Sequence, residues 1–155
     1  TAQGGQIAFP ATQVASANAN TLDDYEEGTF DVTLTLGGGT ATLSNVRLAY
    51  TKDGRMVHVH GQIDVLSVST PSGAVTMGNL PFAVGALTQR ASYSYFYVAG
   101  AGFSGTPAGI IRGALLSNGT TLSLSRIADF VAADLGANLQ AGSEFTFDFS
   151  YHTAT

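Results

Sequence analysis

From Phe30 onward the chain alternates apolar and polar residues in short runs. The run "FDVTLTL" sets Phe30, Val32, Leu34 and Leu36 on one side and Asp31, Thr33 and Thr35 on the other. A period of two over this length predicts a strand with one buried face. "GGG" at 37–39 is expected to end that strand, with "TATLSNVRLAY" following as the next. Asp53-Gly54 is a tight-turn pair. After it, "RMVHVHGQIDV" alternates Val57, Val59, Ile63 and Val65 against His58, His60, Gln62 and Asp64. "TPSG" at 70–73 reads as another turn, and "ASYSYFYVA" as an aromatic strand. "GIIRGALLS" and "TTLSLSRI" flank Asn118-Gly119, a hairpin signal. The run "SEFTFDFSYHT" puts Phe145, Phe147, Phe149 and Tyr151 on one face. The one helix-compatible window is "RIADFVAADLG", and it is short.

About eight strands separated by turn signals, with no helical layer, predict an all-β fold. The expected architecture is a jelly-roll-like antiparallel β-sandwich. Residues 1–29 show neither period and are rich in Ala, Asn, Gln and Thr. They are expected to form an extended arm or linker, with residues 30–155 as the sandwich head.

Composition adds an expectation of self-association. The chain has 155 residues, of which only 11% are charged, and its mean hydropathy is +0.19. Ordinary soluble domains carry about 25% charged residues. A surface so poor in charge is hidden most cheaply against further copies of itself. No apolar run approaches the roughly 18 residues needed to span a membrane as a helix. The N-terminal "TAQGGQIAF" has neither the basic nor the apolar region of a signal peptide. The net charge of −5 and six scattered Lys and Arg residues argue against nucleic acid, which needs clustered cations. With no cysteine, disulfides and thiolate chemistry are excluded.

Four segments carry a resemblance. "TLDDYEEGTF" at 21–30 resembles a motif of bacteriophage tail-fibre and tailspike proteins that usually ends in Gly-Thr-Trp-Thr-Pro. "YTKDGRMVHVHGQI" is similar to a Tyr-Thr-Lys-Ile-Gly-Asn strand pair of the same family. "MGNLPF" at 77–82 and "FDFSYHTA" resemble its later blocks, in order. Phe30 stands where Trp is usual, Val32 for Pro, Asp53 for Ile and Arg55 for Asn. The resemblance implies a homotrimeric β-sandwich in a virion fibre or spike, attached to upstream fibre or spike domains. Its implied role is recognition of a bacterial surface polysaccharide, or trimerisation alone. It does not imply an enzyme, because depolymerase chemistry in such proteins usually sits in an upstream β-helix.

Three constellations are candidates for function. Asp23, Asp24, Glu26 and Glu27 crowd one boundary and are expected to form an inter-subunit acidic elbow, pairing with Arg47, Lys52 or Arg55 of a neighbour. Their spacing fits neither a calcium loop nor facing catalytic carboxylates. His58 and His60 are two apart and so point the same way, about 6.7 Å apart along a strand. "HVHGQID" faintly resembles the first cupin motif, with Asp64 as its acid and His152 as the only further histidine. Near a threefold axis, three copies of the pair would offer six nitrogens to a metal; otherwise no cofactor is expected. Tyr93, Tyr95 and Tyr97 share a face and offer stacking platforms to a sugar, or else pack in a core or an interface. No Gly-x-Ser-x-Gly nucleophile elbow and no phosphate-binding loop is present.

Overall fold

A computed structural model describes residues 2–7, 25–86, 93–104, 110–128, 131–133 and 135–153. The described elements, in chain order, begin with a small hairpin, β1 (Ala2–Gln3) and β2 (Gln6–Ile7). There follow β3 (Tyr25–Asp31), β4 (Thr33–Asn45), β5 (Arg47–Asp53) and the long β6 (Met56–Gly78). Next come β7 (Tyr93–Ala101), β8 (Ile110–Leu116), β9 (Leu122–Ala128) and β10 (Val131–Ala133). A single 3-10 turn at Gly136–Asn138 precedes β11 (Glu144–His152). Every pairing is antiparallel, and no α-helix occurs among the described residues. The jelly-roll-like, all-β sandwich expected from the alternating pattern is the fold.

β6 organises it. Its first half lies between β5 and β11, and its second half between β4 and β9. From β11 the ladder passes to β7, β8 and β9, and β9 returns to β6 at Val75–Met77. The strands thus close a flattened ring, with β5 and β3 extending it on one side. The sheet begins at Tyr25, five residues before the expected head boundary.

Two expected turns are corrected. Neither Gly37–Gly39 nor Thr70–Gly73 reverses the chain; β4 and β6 run through them. The two irregular stretches face each other, with Gly38 opposite Ser72 and Thr40 opposite Ser69. Gly39, Thr70 and Gly73 take positive φ there, and the register slips at each step. Glycine and left-handed residues mark a bulge as readily as a turn, and paired bulges bend the ribbon. A further slip leaves Leu66 unpaired between Val65 and Ser67, and it is 61% exposed. The helix-compatible window is corrected too: Arg126–Ala128 complete β9 and pair with β10. Cross-strand partners in β8 and β10 override the local propensity of that short alanine-rich run.

The core is the one the alternation marks. Phe145, Phe147, Phe149 and Tyr151 form an inward row on β11, each ring about 6 Å from the next. Val57, Val59, Ile63 and Val65 of β6 and Leu122 and Leu124 of β9 join the same buried cluster. Truncating a buried Phe of this kind costs about 3–5 kcal/mol.

Candidate functional site

The four motif-like segments meet at one inner corner. In β3, Glu26, Gly28 and Phe30 point toward the core side, while Glu27 and Asp31 are exposed. Gly28 lies opposite Tyr50, and a Cβ on Gly28 would fall 2.8 Å from the Tyr50 ring. The ring therefore lies flat over the glycine. Its hydroxyl donates to Glu26 Oε1 at 2.5 Å. Phe30 and Phe82 pack on the same ring, at 6.3 and 5.4 Å between centroids. Lys52, directly opposite Glu26 in register and only 3% exposed, holds its amine 5.4 Å above the Phe82 ring. Tyr151 donates its hydroxyl to the Phe82 carbonyl at 3.0 Å. Hydrogen bonding to Glu26, aided by burial, pushes the Tyr50 hydroxyl up to about 12. Burial pushes Tyr151 up to about 12.

This corner relocates much of the expected acidic elbow. Glu26 and Glu27 belong to a regular strand and face opposite ways. Glu27 accepts a bond from the neighbouring Tyr25 hydroxyl. Asp23 and Asp24 lie outside the described residues. Arg47 is held by its own chain: Nε donates to Asp31 Oδ1 at 2.8 Å and Nη2 to Oδ2 at 3.3 Å. That bond keeps the Asp31 carboxyl below its usual range.

The outer face of the same sheet carries the other candidates. His58 and His60 stand side by side, ring centroids 5.7 Å apart and nearly parallel. His58 Nδ1 hydrogen-bonds Ser150 Oγ at 3.1 Å, and Asp148 Oδ1 lies 3.6 Å from His58 Nε2. Among the described residues, no group of three or more His, Cys, Asp or Glu side chains is placed to hold a metal. One chain thus brings two imidazoles together. His152 stands on β11 opposite Met56, four residues along β6 from His60, so a cupin-like ligand set is not assembled.

Tyr97 is the described member of the tyrosine series. It points outward and is 62% exposed, while Val98 is buried and Phe96 half-buried on the core side. The side chains of Tyr93 and Tyr95 lie outside the described residues. Phe96 stacks on Phe149 at 4.1 Å and 11°, fixing the strand that presents Tyr97. Register places Tyr97 beside Arg112 of β8, whose Nε donates to Ser125 Oγ at 3.2 Å. Thr146 pairs with Ala99, so two residues further along the outward rows stand Asp148 and Tyr97. Asp148 is opposite His60, and His60 opposite Ala49. Extending the β11–β7 register by two residues gives a transverse row of Arg112, Tyr97, Asp148, His60, Ala49 and Thr29 across six strands. At about 4.8 Å per strand it is about 24 Å long. It carries a tyrosine ring, a guanidinium, a carboxylate and an imidazole on one outer sheet face. Sequence pattern placed Tyr97 and the histidines; that Asp148 and Arg112 join them follows only from the strand order.

No protein-family model matches the sequence, and no curated protein matches it. Among solved structures, the fold is similar to that titled "Crystal structure of Dettilon tailspike protein (gp208)", with a TM-score of 0.71 and 16% sequence identity. The likeness covers 83% of this chain and 24% of that one, so the chain spans about a quarter of the tailspike's length. At that identity the likeness is one of fold.

Proposed function

We propose that this chain is a head module of a bacteriophage tailspike or tail fibre that binds a bacterial surface glycan as a homotrimer, within the virion. The observation that carries the reading is the exposed Tyr97, set in a row of hydrogen-bonding side chains across a rigid sheet. A tyrosine ring gives a sugar's C–H face something to stack on at low entropic cost, and its neighbours supply donors and acceptors. The tailspike-like fold supports the setting. Three linked sites would raise avidity by about 10²–10⁴ over one, without any new contact. Weak single sites of this kind suit reversible search on a cell surface. The module is read as a binder; any depolymerising activity would lie in an upstream domain.

A second reading has its own observation. The four motif-like segments converge on the inner corner of Tyr50, Glu26, Lys52, Phe82 and Tyr151, where they pack against one another. A module that only trimerises or caps a spike would need no more. Two measurements separate these readings. Light scattering on the purified chain is expected to give about three times 15.9 kDa; a clean monomer mass would remove both trimeric readings. Capture of surface polysaccharide by the immobilised trimer is expected under the first reading. An intact trimer that captures none, from any of a panel of bacteria, would leave the structural reading.

A further inference from the structure

The outer face is strongly one-sided in charge. Glu27, Asp31, Asp53, Asp64, Glu144 and Asp148 all stand on the outward rows of β3, β5, β6 and β11. Across the same rows and that of β8 stand two arginines, Arg47 and Arg112. Six negative against two positive leaves a charge of −4 with histidine counted neutral, in a chain whose total is −5. Arg47 is further occupied by Asp31. Arg55 stands in the turn between β5 and β6, at the rim of this face. Lys52, on the same strand as Arg47, points the other way and is buried.

Such a face selects by charge. A surface carrying one sign raises the local concentration of ligands of the other sign and repels its own. Asp148 and Tyr97 lie on the outward rows of adjacent strands, two residues beyond the Thr146–Ala99 pair, and the Asp148 carboxylate also stands 3.6 Å from His58 Nε2.

Resting on the glycan-binding reading above, we infer that the saccharide recognised here carries protonated amino groups, and that acidic polysaccharides are rejected. An amino sugar stacked on Tyr97 would place its ammonium group against Asp148, making a charge-assisted hydrogen bond. A uronate or phosphate in that place would meet the carboxylate and the excess charge behind it.

The test uses three probes on the whole chain by titration calorimetry: oligomers of β-linked glucosamine, the same oligomers N-acetylated, and oligogalacturonate. Glucosamine oligomers are expected to bind about tenfold more tightly than the acetylated ones, with no binding of the uronate. Raising salt from 50 to 300 mM should erase most of that tenfold difference. Asp148→Asn should reduce the preference several-fold while leaving the acetylated oligomer unchanged. Tyr97→Ala should abolish binding of both amino sugars; glucosamine binding that survives it would be general attraction to an acidic chain and would overturn the proposal. Uronate binding as tight as glucosamine binding would also overturn it while leaving glycan recognition standing. If none of the three binds, the amino-sugar assignment fails; capture of extracted surface polysaccharide by the same preparation then shows whether the glycan reading fails with it.

Discussion

Replacing Gly113 with alanine probes the packing that holds Tyr97 in place. Gly113 of β8 lies directly opposite Phe96 of β7, and a Cβ there would fall 2.1 Å from the Phe96 ring. The ring occupies the space that any side chain at 113 would need. It stacks in turn on Phe149, 4.1 Å between centroids. Alanine must therefore drive Phe96 off its stack. Overpacking of this kind costs about 1–3 kcal/mol, and a lost aromatic pair about 0.5–1.5 kcal/mol. Phe96 is half-buried, so part of the strain is relieved by moving outward, and a total of about 2 kcal/mol is expected. For a chain of this length that corresponds to about 4–8 °C in Tm. The double variant is the sharper test. With Phe96→Ala in place, Gly113→Ala meets no ring and should be neutral, or slightly stabilising because glycine weakens a strand. The cycle should thus show a coupling of about 2 kcal/mol between the two positions, measured by urea unfolding. Additive effects, or a Gly113→Ala chain as stable as the parent, would refute the reasoning.

Gly28→Ala repeats the experiment at the motif corner, where the Cβ would press on the Tyr50 ring; a loss of about 1–3 kcal/mol in urea unfolding is expected. The two raised tyrosines predict a response to alkali. Tyr50 and Tyr151 are held neutral to about 12, against 10.0 for a free tyrosine. Their contribution to stability is whole below pH 10 and is lost as pH rises through 12. Tm should fall across that interval, less steeply in Tyr50→Phe, with tyrosinate absorbance near 295 nm rising as the fold gives way; a flat Tm to pH 12 would contradict it.

Much of the fold was legible because strands such as β11 and the first half of β6 bury one face with a period of two. The row Phe145, Phe147, Phe149 and Tyr151 follows from alternation alone, as does the shared face of the tyrosines; that Tyr97 points outward is settled only by the fold. Glycine was the ambiguous letter. Gly37–Gly39 and Thr70–Gly73 have the composition of turns, yet face each other as bulges inside two long strands. No local pattern distinguishes the two, because the difference lies in the partner strand. The acidic cluster does not act as one patch in the described residues: strand alternation sends Glu26 inward to Tyr50 and leaves Glu27 outside. The segments at 26–30, 50–52, 82 and 151 touch in space, which no one of them reveals. The transverse row from Arg112 to Thr29 was invisible for the opposite reason. Its members lie on six strands, and the order β8, β7, β11, β6, β5, β3 is a property of the closed ring.

The most direct measurement is binding of fluorescently labelled wild-type and Tyr97→Ala chains to bacteria whose surface polysaccharide is intact or enzymatically stripped. Tyr97 is 62% exposed and points away from the core, so the variant should keep its Tm and its oligomeric mass. The wild type should bind intact cells and not stripped ones. The variant should lose about tenfold per site, or about 1.4 kcal/mol, and more where several sites engage together. Equal binding by both chains, or binding that persists on stripped cells, would contradict a glycan site on this face.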